Sequence, residues 1–232
     1  MGGKTRKVPK WETELWSYIS SGDGMHCPLY DRCRSRKEYG WCVAEHIKEI
    51  NQVIENRTFK ASKCNFVRPE PRILGRPFQL VEKLAGKYLR KGKVHGPPVP
   101  AEVVSLFDPE YEVEIRSVPL KSYHGAIWRL KDRWVIQVKS EDSSTTNRHT
   151  LFHEGFHILA HCGSSTPVFR KRGNVQGSFN EALADYFAVS ILMPRDWVKE
   201  KWAEVKDVGR MAKTFDAPQT TMWLRLRQLG LV

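Results

Sequence analysis

The chain has 232 residues, 41% of them hydrophobic, and carries a formal net charge of +12 with a pI near 9.6. This composition supports a folded core and argues against wholesale disorder, and the length suits one substantial domain with an accessory module. The longest apolar run, "YFAVSILM", is far below the roughly 20 residues that a membrane span needs, and no secretory pattern opens the chain. We therefore expect a cytoplasmic protein without a membrane segment, and its positive charge is compatible with DNA as a partner.

Residues 1–66 form a module that contains four of the five cysteines, namely Cys27, Cys33, Cys42 and Cys64. An odd total in a chain without an export pattern argues against a disulfide framework. Four thiolates can instead hold a structural zinc ion or an iron–sulfur cluster, with His26 and His46 as alternative ligands. The spacing lacks the CxxC pairs typical of zinc modules, and small buried free cysteines are the alternative interpretation.

A linker rich in proline and glycine, "VRPEPRILGRP", leads into the second region of the chain. This region begins with a predicted helix, "FQLVEKLAGKYLRK", in which Leu80, Leu84 and Tyr88 recur at helical spacing. Three β-rich runs follow, "YEVEIRSV", "GAIWRL" and "RWVIQVK". Lys131-Asp132 is predicted to form a tight turn between the last two runs.

The hydroxyl-rich segment "SEDSSTTN" predicts the start of the next helix, which carries "RHTLFHEGFHILAH" and runs to Cys162, where Gly163 provides a stop. Residues four apart in a helix point in nearly the same direction, so His153 and His157 present two imidazoles side by side. This HExxH pattern is typical of zinc peptidases, in which the glutamate, here Glu154, is the general base for a metal-activated water. The alternative is an ordinary core helix, but burying two histidines and a glutamate without a metal would be costly.

A catalytic zinc ion needs a third protein ligand and leaves its fourth position to water. His161 is too distant, because a straight helix places it ~12 Å from His153. After a predicted polar loop over residues 163–177, the helix "SFNEALADYFAVSILM" offers Glu181 as the third ligand. Asp185 lies one turn further on the same face, where it can orient a zinc-bound imidazole.

The tail "VGRMAKTFDAPQTTMWLRLRQLGL" predicts two short helices with a turn near Asp216-Ala217 and resembles a helix-turn-helix. In that interpretation Arg225 and Arg227 would enter a nucleic-acid groove. The alternative is a tail that packs on the preceding domain. The predicted organisation is a Cys-rich module at 1–66, a zincin-like metallopeptidase domain at 67–205 and a helical tail at 206–232.

Together the motifs resemble the ImmA/IrrE family of zinc metallopeptidases over residues 78–232. The similarity lies in "PPVPAEVV", "WVIQV", "RHTLFHEGFHILAH", "EALADYFAVSILMP" and "RLRQLGLV". The resemblance implies an α+β fold of helices packed on a small antiparallel sheet. It also implies zinc ligands at His153, His157 and Glu181, with Glu154 as the catalytic base. The usual activity in this family is limited proteolysis of a transcriptional repressor.

Two positions depart from the family pattern without removing a ligand. Gly155 comes one position before the slot where the family usually has glycine, which Phe156 fills, and Asp185 stands where the family often has asparagine. Spacing selects neither Tyr123 nor His124 as the group that stabilises the oxyanion.

The leading hypothesis is a cytoplasmic zinc endopeptidase that acts on a protein, with a helix-turn-helix repressor as the implied substrate. Two alternatives belong to other functional classes. One is a DNA-associated regulator that uses the peptidase-like domain as a scaffold. The other is a metal or redox sensor that acts through the cysteine module.

Overall fold

The computed structural model describes residues 8–20, 76–121, 123–161, 169–170 and 179–232. The helices in these ranges are α1 (Lys10–Ser20), α2 (Arg76–Lys91), α3 (Ser144–His161), α4 (Phe179–Leu192), α5 (Arg195–Val205), α6 (Val208–Phe215) and α7 (Gln219–Gln228), with a 3-10 helix at Ala101–Leu106. The strands are β1 (Glu112–Val118), β2 (Gly125–Arg129), β3 (Arg133–Lys139) and β4 (Phe169–Arg170). The expected α+β class is confirmed. None of the described helices has the length and apolar character that crossing a membrane requires.

The sheet is mixed, which corrects the antiparallel arrangement expected from the sequence. Its strand order is β1-β3-β2-β4, and β3 pairs in parallel with β1 but antiparallel with β2. β4 pairs antiparallel with β2 and lies within the segment that was predicted to be a loop. The predicted β2–β3 hairpin is present, with a 2.8 Å hydrogen bond from Leu130 N to Arg133 O.

Burial and chain length explain this strand order. β3 takes the central place because it is the most buried strand, with Trp134, Val135, Ile136 and Val138 all inside. The connection at residues 119–124 is short, so β2 begins near the end of β1 and runs in the opposite direction. β3 lies between the two and is antiparallel to β2, and it is therefore parallel to β1.

The core lies between the sheet and the helices, with α3 at its centre. α3 packs against β2 and β3 on one side and against α4 on another, while α2 covers α4. Phe107, just after the 3-10 helix, fills the space between these elements. Its ring centroid lies 4.8 Å from that of Tyr88, 5.7 Å from that of Phe187 and 6.3 Å from that of Phe152.

The shifted glycine in the HExxH segment has a packing explanation. A β-carbon at Gly155 would lie 2.6 Å from Cε2 of Phe107 and 3.0 Å from Cγ2 of Val104. α3 can therefore approach the 3-10 helix because Gly155 has no side chain. Phe156 is fully buried, and its ring lies 5.4 Å from that of Phe187 on α4. The larger side chain thus packs between α3 and α4, and the spacing of the two histidines is unaffected.

α1 packs into the same core, although the sequence analysis assigned its residues to the cysteine module. Leu15 and Ile19 are buried in the hydrophobic cluster that includes α2. Lys87 on α2 donates hydrogen bonds of 2.6 and 2.7 Å to the carboxylate of Glu12. The four cysteines predicted to bind a second metal stand in the sequence between these two helices and lie outside the described residues.

The tail forms the two predicted helices, α6 and α7, with Asp216 in the left-handed conformation between them at φ 48°. Arg225 on α7 is only 1% exposed, which corrects its assignment as a groove-reading residue. Its guanidinium donates to Glu82 on α2 at 3.0 Å and to the carbonyl of Met193 at 3.1 Å. A buried cation needs such partners, so Arg225 stabilises the fold. The guanidinium of Arg227 lies 5.1 Å from the ring centroid of Trp223 on the same helix.

The carboxylate of Glu82 accepts hydrogen bonds from three residues on different helices. Besides Arg225, it accepts hydrogen bonds from Tyr186 on α4 at 2.8 Å and from Arg195 on α5 at 3.1 and 3.2 Å. Burial raises the pKa of Tyr186 to about 12, so the phenol keeps the proton that it donates. This cluster connects α2, α4, α5 and α7, and α4 is also the helix that carries Glu181.

Candidate metal centre

α3 brings the two predicted histidine ligands into the core. The helix begins as predicted, since Ser143 Oγ accepts a 3.2 Å hydrogen bond from Thr146 N, as an N-cap residue does. His153 is fully buried and His157 is 3% exposed. Their ring centroids lie 5.2 Å apart, and the two Nε2 atoms are separated by 3.4 Å. Both imidazoles therefore point into one small region on the side of α3 that faces α4.

Glu181, in the first turn of α4, completes the group. Its Oε2 lies 3.2 Å from Nε2 of His153, and its Oε1 lies 3.3 Å from Nε2 of His157. Two donor atoms that each lie ~2.05 Å from one tetrahedral zinc ion are ~3.3 Å apart. Each histidine lies at such a spacing from one Glu181 oxygen, a different oxygen for each, and the three predicted residues form a group that can hold a metal ion.

Asp185 fixes the orientation of His153. Its Oδ1 lies 2.7 Å from Nδ1 of His153, and a carboxylate can only accept at that contact, so the imidazole proton is assigned to Nδ1. The lone pair of Nε2 then points towards Glu181 and His157. This is the role that outer-shell carboxylates have at zinc-bound histidines.

Electrostatics favour a cation between these residues. Burial by itself would raise the pKa of Glu181, but when protons stand on the facing imidazole nitrogens, hydrogen bonds and charge from His153 and His157 outweigh burial and hold the pKa far below its usual range. The carboxylate is therefore ionised at neutral pH. An ionised carboxylate beside two imidazole lone pairs needs a proton or a metal cation among them, and the donor set of two imidazoles and one carboxylate suits zinc.

Glu154, the predicted base, lies beside the group and faces β2. It is 3% exposed, and its Oε1 is buried without a hydrogen-bond partner among the described residues. Burying a carboxylate oxygen in this way is costly unless it has a partner, such as a water molecule, during function. Glu154 thus lies against the strand with one buried carboxylate oxygen, which is compatible with the role of base predicted for it.

Gly125 lies against both Glu154 and Thr150, a contact that the sequence did not indicate. A β-carbon at Gly125 would lie 2.4 Å from Cγ2 of Thr150 and 2.9 Å from Oε1 of Glu154. The backbone at the start of β2 therefore passes directly against the base. A glycine that opens a predicted strand was the available signal, because glycine in a strand often marks a close approach of the backbone.

Two further histidines considered from the sequence are His124, just before β2, and His161, at the end of α3. His124 immediately precedes Gly125, and its Nδ1 is hydrogen-bonded to Oδ2 of Asp142. His161 is the last residue of α3, and its side chain lies outside what the structure describes.

Comparison with known families supports a peptidase-like domain around this candidate metal centre. Residues 110–222 match the family model described as the IrrE N-terminal-like domain, a peptidase family. Residues 110–222 are therefore similar to this domain, and the resemblance to the ImmA/IrrE peptidases is confirmed over them. The match contains Glu154 and all three proposed ligands, and it extends through α6 into α7. No curated protein matches the chain.

Proposed function

We propose that the protein is a zinc-dependent endopeptidase that hydrolyses a peptide bond in a protein substrate. The observation that carries this proposal is the joint geometry of the site. The two imidazole Nε2 atoms lie 3.4 Å apart, and each lies 3.2 to 3.3 Å from a different carboxylate oxygen of Glu181. Glu154, which follows His153 in α3, has a buried carboxylate oxygen without a partner among the described residues. The match to a peptidase family over residues 110–222 supports the same chemistry.

In this mechanism His153, His157 and Glu181 would hold the zinc ion, and Asp185 would keep the His153 ring in the ligating orientation. A zinc ion held there would supply Lewis-acid activation of a water molecule. Glu154 accepts a proton at Oε1 from the attacking water and delivers it to the nitrogen of the leaving amine. Because no described residue donates to this oxygen, water does not have to displace a protein donor to reach it.

The proposed substrate is a helix-turn-helix transcriptional repressor, which would place the enzyme in the cytoplasm. The support for this substrate is the similarity to ImmA/IrrE peptidases. Incubation of the purified, zinc-loaded protein with helix-turn-helix repressors of its own organism tests it. We expect one repressor to be cleaved at a defined bond, as found by mass spectrometry of the fragments.

Substitution of the base tests the enzymatic proposal itself. Glu154→Gln keeps the size of the side chain but cannot accept the proton, and we expect cleavage of a peptide library to fall about 10²-fold to 10⁴-fold. Elemental mass spectrometry should still find one zinc per chain in this variant. A variant that keeps both zinc and full activity would exclude Glu154 as the base.

The same variant separates the enzyme from the two alternative functions. If Glu154→Gln retains the protein's cellular function, the domain acts as a scaffold for regulation. If Cys27→Ser abolishes function while Glu154→Gln does not, the protein acts as a sensor through the cysteine module. Elemental analysis adds an independent check, since a second equivalent of zinc, or iron, would indicate a second metal site.

A further inference from the structure

We propose that Asn180 is a positioning residue that connects the zinc ligand Glu181 to α1, and that zinc affinity therefore depends on this N-terminal helix. The inference rests on the proposed metal site. It goes beyond the family match, because α1 lies outside residues 110–222. The contact that carries it joins residues 161 positions apart in the sequence.

The three proposed ligands are not supported equally. His153 and His157 lie in the interior of an 18-residue helix and are almost completely buried. Glu181 lies in the first turn of α4, and its side chain is 30% exposed. The first turn of a helix lacks intrahelical partners for its N–H groups and opens more readily than the middle. Glu181 is therefore the ligand whose position depends most on contacts outside its own helix.

Asn180 supplies such a contact immediately before Glu181. Its side chain is buried, and Nδ2 donates a 3.3 Å hydrogen bond to the carbonyl of Ile19. Ile19 is the penultimate described residue of α1, and carbonyls in the last turn of a helix commonly accept from donors outside the helix. One hydrogen bond thus satisfies a buried amide donor on α4 and a helix-end acceptor on α1.

α1 is well anchored and can serve as a fixed support for α4. Leu15 is fully buried in the core, and Ile19 is 8% exposed. The Glu12–Lys87 pair connects the first turn of α1 to α2, and Glu14 accepts two hydrogen bonds of 2.9 Å from Arg76. A displacement of α1 would consequently move the acceptor of Asn180 and loosen the turn that holds Glu181.

The test measures zinc affinity in the full chain by competition with a chromophoric chelator. We expect Asn180→Ala to weaken zinc binding about 10-fold, the lower end of the range for losing a group bonded to a ligand, because Asn180 acts on Glu181 through the helix backbone. The visible absorption spectrum of the cobalt-substituted protein should change as well, because it reports the ligand geometry directly. Asn180→Leu removes the same hydrogen bond but keeps most of the side-chain volume, so it replaces Asn180→Ala if that variant does not fold.

A second variant tests whether the effect passes through α1. Leu15→Ala loosens α1 from the core, and we expect it to lower zinc affinity in the wild-type background. Combined with Asn180→Ala, it should cause little further loss of zinc affinity. Such non-additivity is the mark of two residues that act through one contact. Fully additive losses would overturn the role of α1.

A control on α4 separates positioning from general destabilisation. Ile191→Val removes a methylene from the buried far end of α4 and should lower thermal stability without changing zinc affinity or the cobalt spectrum. Wild-type affinity and spectrum in both Asn180 variants would overturn the inference while leaving the proposed function intact. Failure of the wild-type chain to bind zinc would overturn the proposed function and this inference together.

Discussion

The start of β2 lies in direct contact with the proposed base, since a β-carbon at Gly125 would be only 2.9 Å from Oε1 of Glu154. The same β-carbon would be 2.4 Å from Cγ2 of Thr150 on the preceding turn of α3. Strand and helix can approach this closely because position 125 has no side chain. The position of the Glu154 carboxylate is thus determined by the strand as well as by its own helix.

Gly125→Ala should therefore impair catalysis without removing the metal. The added methyl group pushes the Glu154 carboxylate away from its place, and a displacement of ~1 Å can cost up to about 100-fold in rate. We expect kcat for peptide cleavage to fall about 10-fold to 100-fold while zinc affinity stays at the wild-type value. Gly96→Ala is the matched control, because no atom lies within 4 Å of its added methyl group. Wild-type kcat in Gly125→Ala would show that the contact does not position the base.

Asp185→Ala should weaken zinc binding through His153. The variant removes the acceptor at Nδ1, and loss of such outer-shell partners typically costs about 10-fold to 100-fold in metal affinity. Asp185→Asn retains an acceptor oxygen, so its zinc affinity should be close to that of the wild type. Chelator competition on the three proteins measures the difference. Equal losses in both variants would indicate that the charge of Asp185, and not its hydrogen bond, sets the affinity.

The same glycine-to-alanine change should have opposite effects on stability in two helices. Gly155→Ala drives its methyl group into the buried ring of Phe107, and overpacking of this kind typically costs about 1–3 kcal/mol. At Gly86 in α2 the nearest atom is the flexible end of Arg90, at 3.3 Å. Gly86→Ala should therefore raise the free energy of unfolding by about 0.5–1 kcal/mol through helix propensity. Urea unfolding of both variants checks the two signs.

The Glu82 cluster should make part of the stability depend on pH. Burial alone would raise the pKa of Glu82, but the charge of Arg225, with a further contact from Tyr186, outweighs burial and lowers the pKa. The stabilisation is therefore complete above the unfolded-state pKa of glutamate and is lost as the pH falls through the lower folded-state pKa.

Glu82→Gln tests this dependence by leaving the buried guanidinium of Arg225 without its anion. We expect a loss of about 3–5 kcal/mol in the free energy of unfolding at pH 7. The difference in the free energy of unfolding between Glu82→Gln and the wild type should become smaller on acidification, because the wild-type carboxylate then becomes neutral too. Glu204→Gln is the control, since the exposed Lys201–Glu204 pair should contribute less than about 1 kcal/mol. A gap that is constant with pH would contradict the prediction.

Local patterns were sufficient to predict most described elements and the three residues of the candidate metal centre. The four-residue spacing of His153 and His157 places both on one face of any α-helix, and Glu181 falls on the next helix in the chain. The sequence interval is enough for these two helices to pack alongside each other. The bounds of β3 also followed from its alternating run, because strand periodicity is a property of a few consecutive residues.

Other features depend on which elements meet in space. Nothing local distinguishes Arg225 as a buried ion-pair partner from a residue that reaches DNA, because its anion, Glu82, lies 143 positions away. Nothing local indicates the parallel pairing of β1 with β3 either, because this pairing follows from the insertion of a more apolar strand between β1 and β2.

The sequence by itself was enough for the resemblance to a peptidase family, for the helix that bears the two imidazoles and for Glu181 as the candidate third ligand, since motifs and spacings along the chain carry these. Only the tertiary structure showed that Gly125 lies against Glu154 and that Asn180, at the start of α4, meets a carbonyl of α1. Both contacts join residues far apart in the chain. Their existence depends on the packing of the whole core, which short-range periodicity does not encode.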